Sequence, residues 1–295
     1  MFNRTLAVAG LAAFVAIPSI AMADDAPAPA AAAAPAAAPA APASPHTFAG
    51  NIGLFSQYIF RGLTQTNEKP AVQGGFDYSY NFGSVTGYIG TWASNISWLS
   101  DSGPQYTSSS LENDWYFGAR GNFGATDFSY DVGFLYYYYP GTIASAAITP
   151  GGGQKGDTDE LYALVGWKWL TAKLSYSIGN SIFAVRNSSG TYYIDVSANY
   201  PVGDSGVTLM AHYGDQKYTG TDARNAGGAS NDSLYSYYDW KLGASYDASK
   251  ITPVLSNVTI GAYYTDTDAK AAGYTNFDGK NIGKSQVTVF VQKTL

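Results

Sequence analysis

The chain has 295 residues, no cysteine and a mildly acidic balance, with 16 Lys and Arg against 22 Asp and Glu. No Lys/Arg stripe is available to follow phosphates, which argues against nucleic-acid binding, and an exported fold made from this chain must hold together without disulfides. Charged residues are only 13% of the chain, while tyrosine occurs 25 times and glycine 33 times; this composition suits a membrane–water boundary better than a soluble core rich in Leu, Ile and Val.

Residues 1–23 read as an export signal, with Arg4 in the positive region, an apolar core from Leu6 to Ile20, and Ala21-Met22-Ala23 as the cleavage site. The core is shorter than the ~20 apolar residues of a membrane helix and is broken by Pro18. Residues 24–46 are rich in Ala and Pro and read as an extended periplasmic tether.

From Thr47 to Leu295 the chain alternates apolar or aromatic with small or polar residues, which in a strand gives one greasy and one wet face. The spacing predicts twelve strands, at 48–61, 71–81, 84–95, 111–122, 125–139, 159–169, 172–182, 191–200, 206–215, 235–247, 256–266 and 284–294. The expected fold is all-β, a transmembrane antiparallel up-and-down β-barrel. The connections alternate in length. Asn81–Ser84, Phe123-Gly124, Leu170-Thr171 and Pro201–Gly206 are short, and those near 96–110, 140–158, 216–234 and 267–283 are long, as periplasmic turns and external loops would be. Tyrosine runs at 136–139, 192–193, 237–238 and 263–264 fall near strand ends, where aromatic girdles sit. In the last strand Val287, Val289 and Val291 alternate with Thr288, Phe290 and Gln292 up to Leu295, the form of terminal strand that outer-membrane barrels present to the barrel-assembly machinery.

Turn lengths predict a register. A two-residue loop at Phe123-Gly124 sets Arg120 opposite Asp127, and one at Leu170-Thr171 sets Lys168 opposite Lys173. The two lysines are then expected at the wet periplasmic mouth, below Trp167 and Trp169.

The stretch Ser56-Gln-Tyr-Ile-Phe-Arg-Gly-Leu-Thr-Gln-Thr66, then Pro70-Ala-Val-Gln-Gly-Gly-Phe-Asp-Tyr78 and Gly87-Tyr-Ile-Gly-Thr-Trp-Ala-Ser-Asn95, resembles the opening of the TorF porin family, and Val289-Phe-Val-Gln-Lys-Thr-Leu295 is similar to its end. Thr64 stands where serine is expected and Leu295 where phenylalanine is usual. The resemblance implies a Gram-negative outer-membrane barrel assigned to solute passage, with no established substrate.

In the first of these motifs Gln57 and Arg61 alternate onto the face opposite Ile52, Leu54, Tyr58 and Phe60, so they are expected in the lumen, facing Gln73 and Asp77 of the next strand. Two readings stand: a polar constriction that selects solutes, or an Arg61–Asp77 or Arg61–Gln73 link that stiffens the barrel. The further lining candidates are Glu112, Asp114, Arg120, Asp127, Asp131, Glu160, Lys168, Lys173, Asp195, His212, Asp239 and Lys241, where acids outnumber bases and a weak cation preference follows.

Catalysis is the competing class. The chain has two histidines, His46 at the tether boundary and His212 on a strand with Thr208 and Met210, and neither belongs to a Gly-x-Ser-x-Gly or His-Asp arrangement, so no catalytic residue is assigned. Gly279-Lys-Asn-Ile-Gly-Lys-Ser285 is one residue short of a phosphate loop and leads into a strand, and reads as an external loop. The acids at 156–160 and 266–268 read as solvated loop carboxylates, with divalent-ion binding as the alternative. No metal or cofactor is assigned. The expected partners are outer-membrane lipid and lipopolysaccharide, the assembly machinery, and small polar solutes. Three functions stay open: a channel, a closed structural or adhesive barrel, and a barrel hydrolase.

Overall fold

A computed structural model describes residues 44–101, 105–146 and 153–295. The export signal and nearly all of the tether lie outside the described residues. Twelve strands form the wall: β1 His46–Phe55, β2 Ala71–Asn81, β3 Val85–Asn95, β4 Leu111–Asn122, β5 Phe128–Tyr138 and β6 Thr158–Trp167, then β7 Leu170–Ser177, β8 Tyr192–Pro201, β9 Val207–Lys217, β10 Tyr237–Asp247, β11 Val258–Thr267 and β12 Gln286–Thr294. Each pairs antiparallel with its neighbour in sequence, and β1 closes on β12 through Asn51 opposite Thr294 to Phe55 opposite Phe290. Closure gives every wall strand a partner on both sides, the requirement for backbone immersed in lipid. Most strands run to about ten residues, which matches the ~9–11 needed to cross a bilayer at a tilt.

The alternation resolves into a lipid face and a lumen face. Phe48, Ile52, Leu54, Val72, Phe76, Ile89, Phe117, Leu161, Leu209, Leu242 and Val287 are exposed around the whole circumference, a continuous apolar belt that water does not tolerate and a bilayer requires. Among the described residues no helix is long and apolar enough to cross a membrane. The terminal valines Val287 and Val289 join this belt, while Thr288, Phe290 and Gln292 are buried inside.

The tyrosine runs divide between the two faces. Tyr138, Tyr238 and Tyr264 point outward, whereas Tyr137, Tyr139, Tyr193, Tyr237 and Tyr263 are buried in the interior. Consecutive residues of a strand point to opposite sides, so paired tyrosines supply a girdle and a filling at once. Many inward aromatics place their rings over a glycine directly across the ladder: Tyr116 on Gly90, Tyr88 on Gly118, Tyr162 on Gly133 and Phe290 on Gly261. A glycine has no Cβ to hold the ring away, so each ring covers the wall instead of standing into the bore.

Two registers differ from the turn-length expectation. The β4–β5 connection takes five residues, 123–127, closed by Phe123 N–H to Phe128 O and by Thr126 Oγ1 to Phe123 O at 2.7 Å, so Arg120 lies opposite Asp131 and not Asp127. Between β6 and β7 the turn is Lys168-Trp169, with Lys168 at a positive φ of 54°, so Lys173 faces Leu164 and not Lys168. Both shifts are four residues (131 − 127 and 168 − 164), an even number, which preserves the face of every side chain.

The largest departure is at the first loop. The expected strand 48–61 ends at Phe55, and the chain then turns into the barrel as a small hairpin, Ile59–Phe60 paired with Leu63–Thr64. Its tip, Arg61-Gly62, has φ of 46° and 74°, the pair of positive values that a two-residue primed turn requires. A Cβ on Gly62 would sit 2.6 Å from Asp239 Cβ, so only glycine lets the tip reach the far wall. Tyr58 and Phe60, expected on the lipid face, are therefore buried inside.

Candidate functional site: the filled lumen

The inserted hairpin carries Arg61 across the barrel. Its guanidinium meets Glu160 on β6 in a bidentate pair, Nη2–Oε2 2.8 Å and Nη1–Oε1 3.2 Å, and donates through Nη1 to Gln216 Oε1 on β9 at 2.8 Å. Aromatic rings enclose it, with Tyr193 at 4.3 Å, Phe60 at 4.8 Å and Phe183 at 5.6 Å from Cζ to ring centroid. Both charged side chains are 1% exposed. The expected links from Arg61 to Asp77 or Gln73 do not form: Asp77 accepts from Tyr116 at 2.8 Å, while Arg61 is committed to the opposite wall. Gln57 also lies in the interior, on the loop instead of a strand, and donates to Val287 O at 3.1 Å.

Two further networks line the outer and middle lumen. Tyr58 of the loop donates to Glu112 at 2.7 Å and packs edge-on against Trp92 at 5.4 Å, with Asp114 buried on the same face of β4. On β8 to β10, His212 lies between Asp195 (Nδ1 2.7 Å) and Asp239 (Nε2 2.9 Å), and Tyr193 donates to Asp239 at 2.9 Å. Ser197 is also 3.0 Å from Nδ1, but with a carboxylate on each ring nitrogen the imidazole has no side left to act as a base toward that hydroxyl. This is a strand-tying ion cluster in its geometry.

Toward the end that carries the short turns the lining opens. Arg120, Asp131, Tyr162, Lys173 and Lys241 are half-buried. Asp131 accepts from Tyr88, whose hydroxyl also meets Tyr162. Arg120 lies 5.2 Å over Tyr88, Lys173 5.1 Å over Tyr162 and Lys241 5.2 Å over Tyr263, and Lys173 stands opposite Asp195 in the ladder.

Of the residues selected from sequence, Gln73, Asp77, Glu112, Asp114, Asp131, Glu160, Asp195, His212, Asp239, Arg120, Lys173 and Lys241 lie on the lumen face of a strand. Asp127 and Lys168 do not: both sit in short turns between strands, exposed, and pair with each other at 3.5 Å. The residues that sequence reasoning missed are the acceptor Gln216 and the enclosing Tyr193 and Phe183. The available signal was Arg61-Gly62 between the short apolar runs 58–60 and Leu63, a hairpin pattern inside an apparent strand longer than a bilayer crossing needs.

The long loops hold their own charges. Asp157 accepts from Tyr136 at 3.1 Å and from the Tyr139 N–H at 3.0 Å, and Asp268 accepts the Tyr238 N–H at 2.7 Å. Among the described residues no group of three metal-ligating side chains gathers. The Arg224 guanidinium holds the Asp222 carboxyl down at about 2. Residues 279–285 lie in the loop before β12.

Fold and lining define a transmembrane β-barrel with a charged, aromatic interior. The chain belongs to the family described as bacterial protein of unknown function (Gcw_chp), which matches residues 39–295. A comparison with curated proteins finds no match. Among solved structures, the chain is similar to the KdgM porin at 10% identity over 83% of this chain and 98% of that one, TM-score 0.45. It is similar also to Salmonella typhi OmpF in complex with daunomycin, at 10% identity over 85% and 97%, TM-score 0.41. A third is Pseudomonas aeruginosa OprD, at 12% identity over 85% and 95%, TM-score 0.36. The scores all lie below 0.5, and the architecture rests on the closed ladder of the chain itself.

Proposed function

We propose that this chain is a porin-like channel of the Gram-negative outer membrane, exported with removal of residues 1–23, through which small hydrophilic solutes or ions diffuse passively. The observation that carries the reading is a lumen lined by acids, bases and phenols inside an apolar exterior, with a loop hairpin folded in where a constriction would stand. The likeness of residues 56–95 and 289–295 to TorF porins supports it. On this reading lipid and lipopolysaccharide surround the barrel, the C-terminal strand engages the assembly machinery, and the chemistry is non-enzymatic. Reproducible conductance steps from folded protein in a planar bilayer are the expected result.

The burial of the hairpin favours a second reading, a closed structural barrel with a permanent plug. Protein that shows the heat-dependent gel mobility of a folded barrel but gives no conductance steps would establish the plug and remove the channel.

A further inference from the structure

The partners of Arg61 on the far wall form a complete receptor without help from the hairpin that carries it. Glu160 accepts from Ser177 Oγ at 3.2 Å and Tyr137 OH at 3.3 Å, which set its carboxylate plane. Gln216 donates its amide nitrogen to Tyr192 O at 3.0 Å, leaving the amide oxygen toward the lumen. The Tyr193 hydroxyl donates to Asp239, which fixes the ring face. A bidentate carboxylate, an aligned amide oxygen and an aromatic face are what a planar, delocalised guanidinium recognises and a compact ammonium uses poorly.

A purely structural anchor has little need of this chemistry. A buried ion pair is seldom better for stability than apolar side chains of the same volume, so a charged tip seated against a charged wall serves recognition at least as well as strength. Glu112 and Asp114 on β4 add two further buried carboxyl groups to the lumen lining.

We propose that the Glu160–Gln216–Tyr193 wall is a guanidinium-binding site that Arg61 occupies in cis, and that the solutes of this barrel are small cations bearing a guanidinium group that exchange with Arg61. The binding half of this statement stands alone; the solute half rests on the channel reading.

The test is calorimetric titration of purified, detergent-folded Arg61→Ala barrel with methylguanidinium. Saturable binding is expected, about tenfold tighter than that of methylammonium, and lost in Arg61→Ala/Glu160→Gln. No saturable binding to folded Arg61→Ala, or equal binding with Glu160 replaced, overturns the site. Should Arg61→Ala not fold, Arg61→Gln supplies the same readout with a polar side chain retained at the tip. Conductance separates the two levels: wild-type protein without steps but with a positive titration removes the channel and keeps the site, and steps without a titration do the reverse.

Discussion

The two halves of the lumen start from the same alternation and reach different states. In the half that carries the long loops the hairpin fills the bore, and Arg61, Glu160, Gln216 and Tyr193 satisfy one another with almost no exposure. In the half that carries the short turns no loop enters, and Arg120, Asp131, Lys173 and Lys241 remain half-buried, with Arg120, Lys173 and Lys241 set over phenol faces. A barrel interior becomes a protein core wherever a loop occupies it, and the worth of each charge follows from that occupancy more than from its position on a strand.

The sharpest way to break this contrast is Glu160→Ala. It leaves a buried guanidinium without its carboxylate and is expected to cost about 3–5 kcal/mol, measured as the urea midpoint and the temperature of the gel-mobility shift. A loss below about 1 kcal/mol would place Arg61 in an environment as hydrated as the inner half. Gly133→Val tests the wall between the halves. Its Cβ would lie 2.5 Å from the Tyr162 hydroxyl and 2.6 Å from Phe117 O. Overpacking of about 1–3 kcal/mol is expected, with the Tyr162 ring displaced from the wall in a crystal structure of the variant. Arg120→Met removes a half-buried cation from the open half and is expected to cost about 1 kcal/mol by the same denaturation; in a conducting barrel it moves the reversal potential further toward cations. Asp127→Asn should change the urea midpoint by no more than about 0.5 kcal/mol, because its pair with Lys168 is 64% and 52% exposed.

How far each residue was legible follows from these particulars. The faces of Glu112, Asp131, Glu160, Asp195 and Lys241 were readable because a strand repeats every two residues. Their partners were not. Arg120 meets Asp131 because Phe123–Asp127 forms a five-residue connection, and Lys173 meets Leu164 because Lys168 takes a left-handed conformation. Both departures are even, so the alternation is unchanged by them and could not have revealed them. The hairpin at 59–64 was hidden for a different reason: Tyr58 and Phe60 continue the apolar period of β1, and an apolar side chain inside a filled lumen looks, in sequence, like one facing lipid.

The sequence by itself determined the strand number, the all-β class and the inward or outward sense of residues within the twelve wall strands, since these depend on a period of two and on turn-rich breaks that are local. Only the tertiary structure decided the register, the Gly–aromatic pairs and the crossing of Arg61 to Glu160. These depend on contacts between residues far apart in the chain, such as 61 with 160 and 216, that exist only after the barrel has closed around the loop.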